Sequence, residues 1–345
     1  MTHVLLVAGA LIFEPDWDQA GADCVPERLA RRLTRARRTW QALDASWSDG
    51  AAHLEWLARA FRVSGDPPGR AAACAPYSWR AAGGQDGSDA PAGDIWFCDP
   101  VHLSLEPERT VLAPIDSPPL TDTEAHELFD EAADSARSHG AELRRAANGW
   151  YLFMDPPWEL QTTALQAALG ASVEARLPQG RHATQWRRLL NEVQMRWHAS
   201  RVSREREARG QQAANGLWLH GGGAWRALAP SRFARVHSDE PLVLGWQQAA
   251  RAASDAGSPS DTLTVWPHLF EPYWRRDWRG WAAAWARLDS EVESLLQAAR
   301  SGRDGRVELV ACGRRAAATF ALDRSAAVLP WRRRALRDDL LETVQ

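Results

Sequence analysis

Apolar residues recur along this chain at two spacings, every second residue in short runs and every third or fourth in longer ones, and the two kinds of run alternate. The chain opens with the apolar run Val4 to Phe13, which leads straight into acidic Glu14-Pro-Asp-Trp-Asp18. It is too short to span a bilayer and lacks a basic leader, so it predicts a buried strand. From Val25 to Leu43, Leu29, Leu33, Ala36, Trp40 and Leu43 share one helical face and predict an Arg-rich amphipathic helix. Leu54, Leu57 and Phe61 mark a second short helix. Ile95 to Phe97, Thr110 to Ile115, Trp150 to Met154, Leu242 to Leu244 and Leu263 to Trp266 predict strands. Thr121 and Glu124 have capping-box spacing and start a helix through about Ser138. Glu159 to Leu169 predicts a short helix. Trp186, Leu189, Leu190, Val193 and Trp197 form the buried stripe of a longer one.

The most regular seam runs through Trp274, Trp278, Trp281, Trp285, Leu288, Val292 and Leu295, in steps of four and three. Val307, Leu309 and Ala311 alternate before the turn at Gly313, and Ala316 to Leu322 returns as a hairpin. Gly, Pro, Ala and Asp dominate residues 64 to 94, predicting a surface loop whose least ordered part is 83 to 93; a second loop spans 254 to 261. Strands alternating with helices predict an α/β fold: a mixed sheet flanked by helices, with a C-terminal helix and hairpin. A weak boundary near 226 to 240 divides residues 1–225, which hold the candidate pocket, from 226–345, a C-terminal α/β part that either stands alone or continues the first.

Composition narrows the chemistry. All 41 basic residues are arginine, so a phosphate-binding lysine, a lysine Schiff base and a lysine general base are excluded. The net charge of −3 exerts no general pull toward nucleic acid or acidic lipid, and neither is expected as a partner. The arginines near Arg35 face away from the apolar stripe and read as a solvated face, as does the basic patch Trp331 to Arg334. Cys24, Cys74, Cys98 and Cys312 lie far apart with no C-x-x-C pair, which fits reduced thiols in a cytoplasmic protein and no structural zinc.

Polar residues that can carry chemistry gather between Trp186 and Gly223. Asn191 and Glu192 end the helical stripe. A dense polar run then holds Arg206 and Arg209, and Asn215 precedes an apolar strand closed by His220 and Gly221 to Gly223. Glycines there permit positive φ and close approach of a ligand to the main chain. Arg206, Arg209, Asn215 and His220 are the expected ligand site for a small anionic metabolite, with Asn191 and Glu192 supplying hydrogen bonds from the opposite wall and Gly221 and Gly223 at the strand end. In the competing reading, Arg206 and Glu207 pair on a solvated surface and Asn215 caps a turn. Asp99 and His102, three apart around Pro100, are the catalytic candidates: they either orient one another or belong to a turn capped by Asp99.

Asp99-Pro-Val-His-Leu103, Leu177-Pro-Gln-Gly180, Trp186-Arg-Arg-Leu-Leu-Asn-Glu192, Gln194-Met195, His198, Arg206-Glu-Ala-Arg-Gly210 and Asn215 to Gly223 resemble a bacterial family described both as RpfE-type regulatory proteins and as cofactor-independent phosphoglycerate mutase-like proteins. The likeness runs from about residue 95 to the carboxyl terminus. A narrower likeness is to the archaeal-type mutases, whose segment Arg206, Gly210, Asn215, Gly221 and Gly223 match in spacing; Ser203 stands where those enzymes have Asn, and Ser200-Arg201 where they have His-Pro. The resemblance implies that this segment holds phosphoglycerate. It also implies two divalent metals, manganese or magnesium, and a serine nucleophile. Here Glu14, Pro15 and Asp16 follow the first strand in place of an Asp-Gly signature, and Asp49 with His53 and Asp122 with His126 fall at helix starts. The expectation is a mutase-like protein without an intact two-metal core and with no evident cofactor, a metal being required only where mutase activity is retained. It would bind a phosphorylated or carboxylated metabolite, with a regulatory role implied. The alternative is a non-enzymatic interaction protein that docks a partner or a second copy through the Trp-rich helix 274–296.

Overall fold

A computed structural model of the chain describes residues 1–21, 24–43, 45–63, 71–83, 93–116, 118–252, 260–301, 305–322 and 335–342. In chain order the first elements are β1 (Thr2–Ala8), α1 (Glu14–Ala20), α2 (Glu27–Arg35), β2 (Arg37–Ala42), α3 (Ala52–Ala60), α4 (Ala75–Ala81), β3 (Asp94–Glu106) and β4 (Arg109–Ala113). Then come α5 (Asp122–Ser138), β5 (Ala141–Ala146), β6 (Gly149–Met154), α6 (Leu165–Ala168), α7 (Ala183–Ala199), α8 (Arg201–Ala208) and β7 (Gly216–Gly223). The last are β8 (Phe233–His237), α9 (Pro241–Ala252), β9 (Asp261–Trp266), α10 (Phe270–Trp274), α11 (Trp278–Ser301), β10 (Arg306–Cys312), β11 (Ala316–Ala321) and α12 (Leu336–Leu340). The fold is mixed α/β, with a C-terminal helix and hairpin as the periodicities predict.

Two compact units share the chain. One holds Met1–Arg62, Ala229–Glu240 and Ala250–Gln345, and the other Val63–Leu228 and Pro241–Ala249. The units do not follow a linear split at residue 225. The N-terminal residues join the C-terminal part because β1 is hydrogen-bonded in parallel between β9 and β10.

The first unit is built on a six-stranded sheet in the order β2-β11-β10-β1-β9-β8. Its four inner and distal strands β10, β1, β9 and β8 are parallel, and β11 and β2 are antiparallel. Val4 to Ala8 are 0% exposed, which explains the unbroken apolar run: a parallel strand covered on both faces has no polar side to show. Trp281, Trp285, Leu288 and Val292 of α11 join Leu5, Val7 and Leu309 in the core. Trp281 Nε1 donates to Gly9 O at 3.0 Å and its ring meets Trp285 edge to face at 5.5 Å. Trp281 and Trp285 therefore belong to this unit's own interior, with Trp278 and Leu295 half-buried against it, so the seam packs within the chain and the alternative of a docking seam is not needed to account for it.

The Arg-rich segment is also corrected. It is helical only through Arg35; Ala36 is extended and residues 37–42 pair with β11 as an edge strand. Thr39 and Trp40 suit a strand as well as a helix face, and an Arg-bearing edge discourages pairing with another chain. The helical arginines are not simply solvated: Arg28 grips Asp289 at 2.8 Å and Arg32 reaches Glu293 at 2.5 Å, tying α2 to α11.

In the second unit five antiparallel strands run β4-β3-β6-β5, with β7 on the other side of β3. Side chains alternate along β3. Trp96 and Cys98 enter a core with Trp150, Leu152, Leu219 and the helical residues Leu128, Trp186, Leu189, Val193 and Trp197, so the predicted stripe on α7 is buried as a unit. Thr121 caps α5 through both arms of its capping box. Leu242 to Leu244, expected as a strand, lie in α9, since a short apolar run fits either element. The expected helix 159–169 is helical only as α6. Within the expected loop 64–94, α4 buries Ala75, Tyr77 and Trp79; residues 84–92, most of the 254–261 loop and the Trp331 to Arg334 patch lie outside the described residues. Among the described residues no helix is long and apolar enough to cross a membrane.

Candidate functional site

Strand β3 sends its two catalytic candidates to opposite faces of the sheet, because positions three apart in a strand point opposite ways. Asp99 and His102 therefore do not orient one another. Each finds another partner. Antiparallel register sets Phe97 opposite His220 and Asp99 opposite Trp218, so Asp99 lies diagonal to His220 on one face. Asp99 Oδ2 and His220 Nε2 are 2.7 Å apart, and the imidazole stacks on Phe97 with centroids 4.9 Å apart. The carboxylate oxygen accepts, so Nε2 carries a proton in this pair. On the same face, Tyr151 donates its hydroxyl to Asn148 Oδ1 at 2.9 Å and lies 3.0 Å from Ser78 Oγ. Burial, reinforced by the charge of Asp99, pushes the Tyr151 phenol up to about 12, so it serves as a hydrogen-bonding group and not as a base near neutrality.

His102, on the other face, lines a cleft of about 320 Å³ together with His198, Ser203, Glu207, Gln211 and Asn215. Four pieces of chain meet there: β3, the last turn of α7, α8, and the loop that leads into β7. His102 Nδ1 lies 2.8 Å from Ala213 O. A carbonyl only accepts, so Nδ1 is the protonated nitrogen and Nε2 is left for a ligand. Ser200 caps α8 by accepting from the Ser203 N–H, which fixes Ser203 at the cleft. Asn215 does more than cap a turn. Its Oδ1 accepts from Leu103 N at 2.6 Å and its Nδ2 donates to Leu103 O at 3.0 Å, so the side chain extends the β3–β7 ladder as a strand residue would.

The arginines expected at the ligand turn inward. Arg206 is 1% exposed and donates from Nε to Gln212 O at 2.7 Å, from Nη1 to Glu124 Oε2 at 2.9 Å and from Nη2 to Pro118 O at 2.6 Å. Arg209 Nη2 donates to the other oxygen of Glu124 at 2.8 Å. Burial disfavours ionised Glu124, but the Thr121 N–H and the two guanidiniums outweigh it and hold the carboxyl below its usual range. Arg206 thus pins the loop before β7 to the start of α5 and shapes the cleft wall from behind. Asn191 is exposed on α7. Glu192 pairs with His139 at 3.1 Å and Arg196 at 3.2 Å. Neither lines the cleft.

The glycines serve the protein's own packing. Gly221 has φ +61, and a Cβ there would lie 3.0 Å from the Phe97 ring and 3.1 Å from Cys74 Cβ; at Gly222 it would lie 1.9 Å from the Trp96 ring. Gly223 faces Ala73 in the same way. These contacts correct the expectation that the glycines open the main chain to a ligand.

Of the residues expected from sequence, His102 and Asn215 meet at the cleft, and Asp99 and His220 form a separate pair. His198, Ser203 and Gln211 were not foreseen at the cleft. The signal was there for His198, which follows the buried Trp197 by one residue and so turns toward the polar side of the helix.

The donor set for the implied two-metal core is not assembled: among the described residues no three His, Cys, Asp or Glu side chains are placed to hold a metal ion. Asp49 is taken by Arg315, and His53 is buried without it. His126 lies on the surface, 3.6 Å from Asp130. No step is therefore derived through a metal. All four cysteines are buried and unbridged, and burial pushes the Cys74 thiol up to about 12, so it is not a nucleophile.

No family model and no curated protein matches the chain. Among solved structures the chain is similar to the cofactor-independent phosphoglycerate mutase from Thermoplasma acidophilum, at 14% identity and a TM-score of 0.36 over 93% of this chain and 89% of that one. It is also similar to a protein from Pyrococcus horikoshii, at 10% identity and a TM-score of 0.48 over 93% of this chain and 86% of that one. At such scores no residue role is transferred, and the resemblance read from the motifs stands on the motifs alone.

Proposed function

We propose that the second unit binds a small phosphorylated or carboxylated metabolite in the cleft between α7, α8, β3 and the loop entering β7, as a binding protein and not as a metal-dependent mutase. One observation supports this reading: two imidazoles (His102, His198), a hydroxyl (Ser203) and three carboxamides (Gln211, Gln212, Asn215), with the carboxylate of Glu207, come from separate parts of the chain to line a single cleft. That cleft lies on the stretch from Ser203 to Asn215, where the likeness to the mutase segment is found. His102 is held by Ala213 O through one ring nitrogen, so its other nitrogen meets a ligand in a fixed direction, accepting when neutral and donating to an oxyanion when protonated. Gln211 supplies amide donors. Glu207 sets a limit on charge: it favours a ligand that also carries a hydroxyl facing the carboxylate. Arg206 contributes by positioning the wall, since its guanidinium is already committed to Glu124 and main-chain carbonyls.

Calorimetric titration of the wild type with 2- and 3-phosphoglycerate and related hydroxy acids tests the reading. Binding is expected, and a His102→Ala, His198→Ala double variant should lose about tenfold or more in affinity, some 1.4 kcal/mol. No binding of any such acid by the wild type removes the metabolite reading; equal binding by both proteins removes the cleft.

A further inference from the structure

The hairpin joining β10 to β11 turns at Gly313, Arg314 and Arg315, beyond the end of β1, whose Ala8 is in register with Cys312. Two main-chain N–H groups of that turn converge on one carboxylate, that of Glu342. Arg314 N–H donates to Oε2 at 2.9 Å, and Arg315 N–H donates to Oε1. Gly313 leaves the room: a Cβ there would lie 2.9 Å from the carboxyl carbon. Successive turn N–H groups facing a concavity form an anion-binding nest. We propose that this turn is a second ligand site, a nest for one oxyanion group of a small carboxylated or phosphorylated ligand, and that Glu342 is a built-in occupant which such a ligand displaces.

Several features of the seat agree. Glu342 is only 5% exposed, and burial pushes its carboxyl above the ordinary value in spite of the turn N–H groups, so its charge is incompletely compensated where it sits. Arg314 adds positive charge beside it, while the Arg315 guanidinium is held by Asp49, with Nη2 to Oδ2 at 2.9 Å. The same turn is bonded to the start of α3 by Ala52 N–H to Gly313 O at 3.2 Å. The next residue of that helix, His53, is buried, and its Nδ1 has no hydrogen-bond partner among the described residues. Glu342 reaches the nest from a short strap. Leu340 anchors the strap in the core at 0% exposure, Asp339 pairs with Arg38 at 2.6 Å, and Glu342 N–H donates to Ile12 O at 2.8 Å. Because the anchor precedes the carboxylate by two residues, the carboxylate leaves the nest without undocking α12.

The site lies in the first unit and stands or falls independently of the cleft. Wild type and Glu342→Ala are titrated with inorganic phosphate and, separately, acetate, while the amide resonances of Arg314 and Arg315 are followed. Both carry the His102→Ala, His198→Ala background, so that cleft binding does not enter. An intramolecular carboxylate competes at an effective concentration in the millimolar range or above, so Glu342→Ala is expected to bind at least about tenfold more tightly than the protein that keeps Glu342. Phosphate-selective shifts identify a phosphoryl ligand; shifts with acetate as well identify a general oxyanion site, and either supports the nest. Unmoved amides in Glu342→Ala overturn it, and equal affinity with and without Glu342 overturns the role of that residue. Should Glu342→Ala fail to fold, Glu342→Gln keeps the side-chain length while removing the charge, and the same comparison decides.

Discussion

Arg206 shows how a residue type can be legible while its role is not. A guanidinium beside glycines suggested anion binding, yet the group is buried on Glu124, 82 residues away in sequence. Nothing local in the chain announces that pairing. Removing one partner of a buried ion pair strands the other, so Arg206→Ala should cost about 3–5 kcal/mol, read as a lower urea midpoint at unchanged slope. Arg206→Lys should recover little of it, because an ammonium cannot meet a carboxylate and separate carbonyls in one plane. The Asp99–His220 pair was hidden for the same reason, its members being 121 residues apart. His53 offers a pH test. Burial pushes its imidazole down to about 4 in the folded protein, against about 6.5 unfolded. Between those values the unfolded chain binds the proton and the folded one does not, so stability should fall as the pH drops from about 6.5 to 4. The loss attributable to this residue is roughly 3 kcal/mol at most, and His53→Phe should flatten the curve of unfolding free energy over that window.

Among elements, legibility followed the length of the periodic run. Six seam positions on α11 and five on α7 left no other period open, whereas the seventh, Trp274, ends α10 and is separated from α11 by a turn with Arg276 at φ 55; the unbroken apolar run of β1 matched a doubly covered strand. Residues 37–42 were ambiguous because Thr39 and Trp40 satisfy either period, and only the exposed edge of β11 decides for a strand. Helix α4 was masked by a Gly- and Pro-rich setting that says nothing about what Trp79 packs on, namely Tyr151 and Phe153, each 5.1 Å away. Two substitutions examine these elements. Trp285→Ala should destabilise by about 3–5 kcal/mol, with no change in sedimentation of the protein that remains folded, since the side chain is interior and not a subunit seam. Gly222→Ala should cost about 1–3 kcal/mol or more, because the added methyl would sit 1.9 Å from the Trp96 ring. A thermal shift reads both.

For the whole molecule, fold class was legible from alternation alone, whereas the partition was not. A linear reading cannot foresee that β1 inserts between β9 and β10, which returns the N-terminal residues to the C-terminal unit. The five antiparallel strands of the other unit then set Asp99 and His102 on opposite sides of one sheet, and only His102 reaches the cleft. On the function proposed above, this cleft takes an anionic metabolite. The most direct measurement is nitrogen NMR of the protein labelled at histidine, titrated with 3-phosphoglycerate. Saturable shifts are expected at His102 and His198, with His220 and the distant His126 unmoved. Shifts confined to His220 or other imidazoles, or no shift at any of them, would contradict it.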